Sequence, residues 1–196
     1  NGATFTSIDS ALKWDGIILN NSDADTISNC TFSNAVTALT IRNDANASYK
    51  NRIITGNTFN IPSGGNCKGI SGENNYRILI KNNTFNMPVY NSIVNPPEIV
   101  YVGIYLKNSG TGGSAGETEE NEESPYSLNI VENTFSNGCA SVILANYLSN
   151  LLPYNISKNT FNDAATVNLI GMQITGRIKN NNFTSDNVPL GIHLIS

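Results

Sequence analysis

The chain has 196 residues, of which 13% are charged, and a formal net charge of −4 at pH 7. Because phosphate binding requires clustered Lys and Arg, this charge predicts no nucleic-acid partner. No apolar run is long enough to cross a bilayer, so the sequence predicts no membrane span. Asparagine occurs 33 times. Since Asn disfavours helix and strand interiors, this content predicts many turns or stacked Asn side chains.

The N-terminal stretch, residues 1–15, contains Phe5, Ile8, Leu12 and Trp14. These apolar side chains predict either a cap on the fold or the first part of its first repeat. From residue 16 onward, two short patterns alternate along the chain.

The first pattern is a hexad with a small residue first, apolar residues at the second and fourth places and usually Asn at the sixth. This period-two alternation predicts a short strand with one buried face. Gly72 is the exception, because it stands where other copies have Leu or Ile. The copies are GIILNN (16–21), ALTIRN (38–43), GISGEN (69–74), GIYLKN (103–108), SVILAN (141–146), TVNLIG (166–171) and GIHLIS (191–196).

The second pattern is an octet that ends in Phe, with Ile five residues before the Phe, usually Asn two before it and usually Thr one before it. Each octet is followed by a hexad, and a repeated pair of this kind predicts a solenoid. The octets are DTISNCTF (25–32), RIITGNTF (52–59), ILIKNNTF (78–85), LNIVENTF (128–135), YNISKNTF (154–161) and GRIKNNNF (176–183).

The third pair carries an insertion over residues 86–125. Its first part, 86–102, is apolar and contains three prolines, and we expect it to fold back over one face of the solenoid. Its second part, 109–125, is rich in Gly and Ser and then acidic. This composition cannot bury enough apolar surface to become ordered, so it predicts a mobile acidic loop. The acidic run lacks the spacing of a calcium loop, so no metal site and no cofactor are predicted.

Each repeat is predicted to contain two short strands and their turns, in about 22 to 27 residues. One repeat cannot bury its own apolar face, but stacked parallel coils place Ile on Ile and Phe on Phe, about 4.8 Å apart. The sequence therefore predicts an all-β fold, a single-stranded parallel β-helix (solenoid) of about six to seven coils, with residues 1–196 in one domain. A leucine-rich repeat is the alternative, although Leu positions are few. Because the last hexad has no polar cap, we expect a longer native chain or a cover at that end.

Stacking also predicts two structural ladders. The Asn two residues before each Phe is expected at a turn, where Asn tolerates left-handed backbone and where its amide can bond the next coil. The phenylalanines are expected to stack in the core. The predicted ladder residues are Asn57, Asn83, Asn133, Asn159 and Asn181, together with Phe32, Phe59, Phe85, Phe135, Phe161 and Phe183.

These octets and hexads, from about residue 16 to residue 196, resemble the right-handed parallel β-helix repeats of the pectin-lyase-like superfamily, particularly the Asn-rich coils of large secreted or cell-surface bacterial proteins. The resemblance implies right-handed winding and a secreted or cell-surface bacterial location. It implies no single function, because this fold serves polysaccharide lyases, glycoside hydrolases, phage tailspikes, adhesins and inert stalks.

The outward-facing hexad positions are where a binding site would form. Hydrolysis needs two carboxylates across the scissile bond, but no acid pair lines up on neighbouring coils, so no catalytic residue is predicted. Arg42, Glu73 and Lys107 are predicted to form a row on consecutive coils, and a solvated ion-pair ladder is the simplest interpretation of that row. Tyr105 joins these three as a possible binding residue. His193, the one histidine, has no acid neighbour in the repeat.

Three functions are compatible with these features. The favoured hypothesis is a non-catalytic β-helix module that acts as a rigid structural or adhesive segment of its own longer chain or of a surface assembly. The first alternative is a carbohydrate-binding module or a polysaccharide lyase or glycoside hydrolase, with a polysaccharide as partner. The second is a tailspike-like trimer, in which Ile18, Tyr105 and Ile143 would form the contact face.

Overall fold

The computed structural model of the chain describes residues 2–9, 11–21, 25–43, 52–74, 77–89, 100–108, 128–138, 140–147, 152–163, 167–171, 174–184 and 192–195, which form twenty strands and no helix. The strands are β1 (Thr4–Phe5), β2 (Ile17–Asn20), β3 (Thr26–Ser28), β4 (Thr31–Ser33), β5 (Thr37–Arg42), β6 (Arg52–Thr55), β7 (Thr58–Asn60), β8 (Cys67–Glu73), β9 (Ile78–Lys81), β10 (Thr84–Asn86), β11 (Tyr101–Lys107), β12 (Leu128–Val131), β13 (Thr134–Ser136), β14 (Ala140–Asn146), β15 (Leu152–Ser157), β16 (Thr160–Asn162), β17 (Val167–Gly171), β18 (Ile174–Lys179), β19 (Asn182–Thr184) and β20 (Ile192–Ile195). The predicted mobile loop, 109–125, lies outside the described residues.

The strands form three sheets in which every neighbour is parallel. The Phe sheet contains β1, β4, β7, β10, β13, β16 and β19, the long sheet contains β2, β5, β8, β11, β14, β17 and β20, and the Ile sheet contains β3, β6, β9, β12, β15 and β18. Successive strands along the chain visit the three sheets in turn. The fold is therefore the predicted parallel β-helix, with about six coils.

The repeat patterns stack in register. The second-place residues of the hexads pair through the long sheet, from Ile17 with Leu39 to Val167 with Ile192. The pairing also holds across the insertion, because Phe85 pairs with Phe135 in the Phe sheet. Among the described residues there is no helix, and thus no apolar helix long enough to cross a membrane.

Each coil contains three strands, so the prediction of two was wrong. The octet, predicted to be one strand, is divided by a bend. In the second octet, β6 ends at Thr55, Gly56 has a φ of 65°, and β7 begins at Thr58. A left-handed residue turns the chain sharply, so the two halves of the octet lie in different sheets.

The left-handed residue is not the ladder Asn, which corrects a second prediction. It lies three residues before each Phe, whereas the ladder Asn lies two before it. Asn, Gly, Glu and Lys all occupy this place, with φ between 54° and 65°. The six residues are Asn29, Gly56, Asn82, Glu132, Lys158 and Asn180.

Replacing Lys158 by glycine should stabilise the protein by about 1 kcal/mol. Lys158 has a φ of 57°, and its β-carbon makes this left-handed conformation costly, whereas glycine adopts it freely. Its side chain forms a long ion pair with Glu132, 4.0 Å from Nζ to Oε1, and both side chains are more than a third exposed. The check is chemical denaturation of Lys158→Gly beside Lys158→Ala, which loses the same ion pair but keeps the strain. A glycine variant no more stable than the alanine variant would contradict the prediction.

The core contains a continuous stack of phenylalanine rings. Consecutive ring centroids are 4.5–5.2 Å apart from Phe5 to Phe183, and the interplanar angles are 5–13°. The five central rings, Phe32, Phe59, Phe85, Phe135 and Phe161, are completely buried. The predicted Phe ladder is thus present, and it begins one coil earlier than predicted, at Phe5.

The N-terminal stretch completes the first coil. β1 pairs Thr4 with Thr31 and Phe5 with Phe32, so residues 4–5 extend the Phe sheet. Trp14 packs near Phe5, with ring centroids 6.4 Å apart, and its indole N–H donates to the carbonyl oxygen of Ser33 at 2.8 Å. Of the two interpretations of this stretch, completion of a repeat is the one that the structure supports.

Candidate functional site

The Asn ladder lies at the bend between the Ile sheet and the Phe sheet and holds adjacent coils together. The backbone N–H and the side-chain Nδ2 of Asn83 both donate to Oδ1 of Asn133, at 2.9 and 3.0 Å. The same Nδ2 donates to the carbonyl oxygen of Ile54 in the preceding coil at 2.8 Å. Each ladder Asn therefore links three coils. The arrangement is repeated at Asn57, Asn83, Asn133 and Asn159, and it ends at Asn181.

The predicted charged row is present on the outer face of the long sheet. Arg42 pairs in register with Glu73, and Glu73 pairs with Lys107, on β5, β8 and β11. Lys107 Nζ lies 2.8 Å from Glu73 Oε1, and both side chains are exposed. The hydrogen bond to Glu73 raises the pKa of Lys107 above its usual value, so the Lys107 ammonium remains protonated throughout the neutral pH range.

Tyr105 lies beside this row and carries the aromatic surface of the site. It pairs in register with Ser71, and the Lys68 ammonium lies 5.8 Å from its ring centroid. Burial raises the pKa of Tyr105, with a smaller contribution from the neighbouring Tyr147. Its hydroxyl is therefore protonated at neutral pH and can donate a hydrogen bond.

These side chains line one depression of about 260 Å³ on the long sheet. We name it the groove. Small side chains, Thr40 and Ser71, lie next to the large Tyr105 in the same column, and this change in size along consecutive coils makes the surface concave. The groove is lined by Thr37, Thr40, Ile41, Arg42, Lys68, Ser71, Gly72, Glu73, Tyr105 and Lys107. All four residues predicted as binding candidates are among them.

Simple alternation missed Lys68. Strict alternation places the first residue of the hexad outside, but a β-carbon added at Gly69 would lie 2.8 Å from a ring carbon of Phe85 in the core. Two successive residues, Gly69 and Ile70, thus face inward, and Lys68 lies outside. The same approach to Phe135 at Gly103, 2.9 Å, explains why hexads begin with a small residue. That small first residue was the available signal for Lys68.

The predicted trimer face is not a continuous apolar patch. Ile18, Tyr105 and Ile143 lie in one column of the long sheet, but Thr40 and Ser71 separate Ile18 from Tyr105. Ile18 is 53% exposed, whereas Tyr105 and Ile143 are partly buried. The polar interruption spans two coils, so Ile18 is separated from Tyr105 and Ile143, which are neighbours on adjacent coils.

The described side chains that line the groove carry more positive than negative charge. The described residues that line it include three cations, Arg42, Lys68 and Lys107, and one carboxylate, that of Glu73. Within the described part of the chain, no cluster of three or more metal-ligating side chains occurs. His193 pairs with Asn168 in the backbone of the long sheet, and it lies three coils beyond Tyr105, so the sheet does not place it beside the groove.

The groove can thus bind a polar ligand through one aromatic face, several hydroxyls and surplus positive charge, and its one carboxylate already accepts a hydrogen bond from Lys107. Comparisons of this chain with protein-family models, with curated proteins and with solved structures find no match.

Proposed function

We propose that the chain is a non-catalytic β-helix module that acts as a rigid structural or adhesive segment of a secreted or cell-surface protein. Its repeats resemble those of the pectin-lyase-like superfamily with right-handed winding, and bacterial surface proteins are the setting in which such Asn-rich coils occur. Its partners would be further parts of its own chain or a surface assembly.

The observation that carries the proposal is the unbroken pair of ladders. Phe rings stack from Phe5 to Phe183, and Asn side chains join the coils from Asn57 to Asn181. Between Asn57 and Asn181, neighbouring coils are thus joined both by aromatic packing and by amide hydrogen bonds. A solenoid of this kind resists bending, which suits a spacer or a platform for adhesion.

The groove also favours a non-catalytic role. Glycoside hydrolysis by the common mechanism uses two carboxyl groups about 5–10 Å apart. Glu73 is the single carboxylate among the described residues that line the groove, and it forms an ion pair with Lys107. The groove therefore shows one carboxylate among its described residues, and that carboxylate already has an ammonium as its partner, whereas the common mechanism needs a general acid and a second carboxylate.

Incubation with plant, algal and bacterial polysaccharides tests this function. We expect no new chain ends, measured as reducing ends and as unsaturated products by absorbance. The Glu73→Gln variant should behave identically. New chain ends from the natural chain that disappear in Glu73→Gln would overturn the proposal and identify an enzyme.

Saccharide binding without cleavage is a second candidate function, and the groove is the observation that favours it. Tyr105 offers a ring face for stacking, and Thr37, Thr40 and Ser71 offer hydroxyls for hydrogen bonds to sugar hydroxyls. Tyr147 is near Tyr105 and is 56% exposed, which extends the aromatic surface. Tyr side chains combine an apolar ring with a hydroxyl that can bond to water or to a ligand, and they are common at recognition surfaces.

A further inference from the structure

We infer that the groove selects anionic saccharides, in which a carboxylate or a sulfate group is carried on the sugar. This inference rests on the second candidate function, saccharide binding, and specifies the charge of the ligand. Three observations carry it: an Arg with no partner among the described residues, a Lys held over an aromatic ring, and an acid that already forms an ion pair.

Arg42 is the primary anion-binding group. It extends from the last position of β5 at the edge of the groove, and it makes no ion pair or side-chain hydrogen bond with any described residue. A guanidinium presents a planar fork of donors that matches the two oxygens of a carboxylate or a sulfate. The groove thus offers a free bidentate donor.

Lys68 supplies the second positive charge. Its ammonium lies 5.8 Å from the ring centroid of Tyr105, a contact that holds the side chain over the groove while leaving the donors of the ammonium available. Lys68 and Thr37 are register neighbours, as are Glu73 and Arg42, so both free cations border the same floor of small side chains. An anionic group above Ser71 would lie between them.

Glu73 does not cancel these charges. Its carboxylate is paired with Lys107 at 2.8 Å, so that pair is neutral as a unit. Among the described lining residues, the remaining charge is that of Arg42 and Lys68, in a chain whose net charge is −4. Because the groove carries positive charge on a chain of negative net charge, attraction at the groove would oppose the overall repulsion of an acidic polymer.

The size and polarity of the groove indicate a sugar rather than a free inorganic ion. A volume of about 260 Å³ is close to the lower end of the roughly 300–1,000 Å³ typical of small-molecule sites, so it accommodates a short portion of a glycan. The ring of Tyr105 and the hydroxyls of Thr40 and Ser71 have no use in binding an isolated anion. They suit a sugar ring that carries the charged group.

Three polymers with one backbone test the inference: dextran, carboxymethyl dextran and dextran sulfate, with binding to the whole chain measured by calorimetry or by retention on the immobilised polymer. We expect binding to at least one of the two anionic polymers and none to dextran. Arg42→Gln and Lys68→Gln should each weaken that binding about ten- to hundredfold. Lys81→Gln is the matched control, because it removes one partly exposed cation from the Ile sheet, away from the groove.

The outcomes separate the two proposals. Equal binding of neutral dextran that is lost in Tyr105→Ala would overturn the charge selection and keep saccharide binding. An equal loss in Lys81→Gln and Arg42→Gln would overturn the inference by showing diffuse attraction. Retention of none of the three polymers would overturn it together with the saccharide-binding candidate, and would leave the rigid-module function unaffected. Carboxymethyl dextran and dextran sulfate distinguish the two sources of the charge.

Discussion

Replacing Asn133 by alanine is expected to lower the free energy of unfolding by roughly 3–5 kcal/mol. The side-chain Oδ1 of Asn133 accepts from the backbone N–H and the Nδ2 of Asn83, and its Nδ2 donates to the carbonyl oxygens of Ile80 and Val131 and to Oδ1 of Asn159. Alanine removes all of these bonds. The buried N–H of Asn83 is then left without an acceptor, which costs more than the loss of one exposed bond.

Asn86→Ala is the matched control for this change. Asn86 is also an asparagine that bonds the neighbouring coil, through Nδ2 to Oδ1 of Asn60 at 2.8 Å, but it is exposed on the Phe sheet. Water replaces its lost bond, so we expect a loss below about 1 kcal/mol. Urea denaturation of both variants measures the difference. If Asn133→Ala proved no more destabilising than Asn86→Ala, the buried Asn ladder would not contribute more to stability than an exposed hydrogen bond does.

Replacing Phe135 by alanine is expected to cost about 3–5 kcal/mol. The Phe135 ring is completely buried, and it stacks on Phe85 and Phe161 with centroid distances of 4.8 and 5.0 Å. Its removal leaves a cavity on the axis of the solenoid and separates two ring neighbours. Parallel strands joined by hydrogen bonds on both sides cannot easily collapse into that space.

Phe183→Ala provides the comparison for the Phe stack. Phe183 is half-buried, and its described ring neighbour is Phe161, at 4.5 Å. Replacing this ring removes less buried apolar surface than replacing Phe135 does. Thermal or urea denaturation should therefore show roughly half the loss of stability measured for Phe135→Ala. Equal losses at the two positions would be inconsistent with a core built around the Phe stack.

The repeats predicted the stacking well because they encode register directly. Ile, Asn and Phe recur at fixed offsets, and in a parallel stack equal offsets become vertical neighbours. Sequence reasoning therefore identified the Asn ladder, the Phe stack and the hexad strands of the long sheet. It missed Phe5 because the given sequence contains only the last five positions of an octet that ends there, and Ala3 stands at the place of the ladder Asn.

The bend inside each octet could not be predicted in the same way. The residue with left-handed backbone is Asn, Gly, Glu or Lys in different coils, so no single residue type marks the place. Glu132 and Lys158 adopt this conformation because the sheets on both sides impose it. Tertiary pairing thus overrides the local preference of these two residues, and the sequence pattern suggested a single strand.

The candidate site was predicted in part for a related reason. Arg42, Glu73, Tyr105 and Lys107 follow from alternation, because they lie in the regular half of each hexad strand. Strict alternation from the inward-facing Ile70 would turn Lys68 inward as well. Because Gly69 and Ile70 both face the core, Lys68 instead faces outward. The concave shape depends on the side-chain sizes of Thr40 and Ser71 beside Tyr105, which become visible only when the register between coils is known.

Residue-resolved amide hydrogen exchange by NMR tests the central claim, that buried asparagines join successive coils of a parallel β-helix. The backbone N–H groups of Asn57, Asn83, Asn133 and Asn159 each donate to the side chain of the next ladder Asn. We predict that these four amides, although they lie outside the strands, exchange as slowly as the amides of the long sheet. The N–H of Asn181, at the end of the ladder, should exchange much faster. Rapid exchange at all five asparagines would contradict the ladder and the stacked register on which the fold depends.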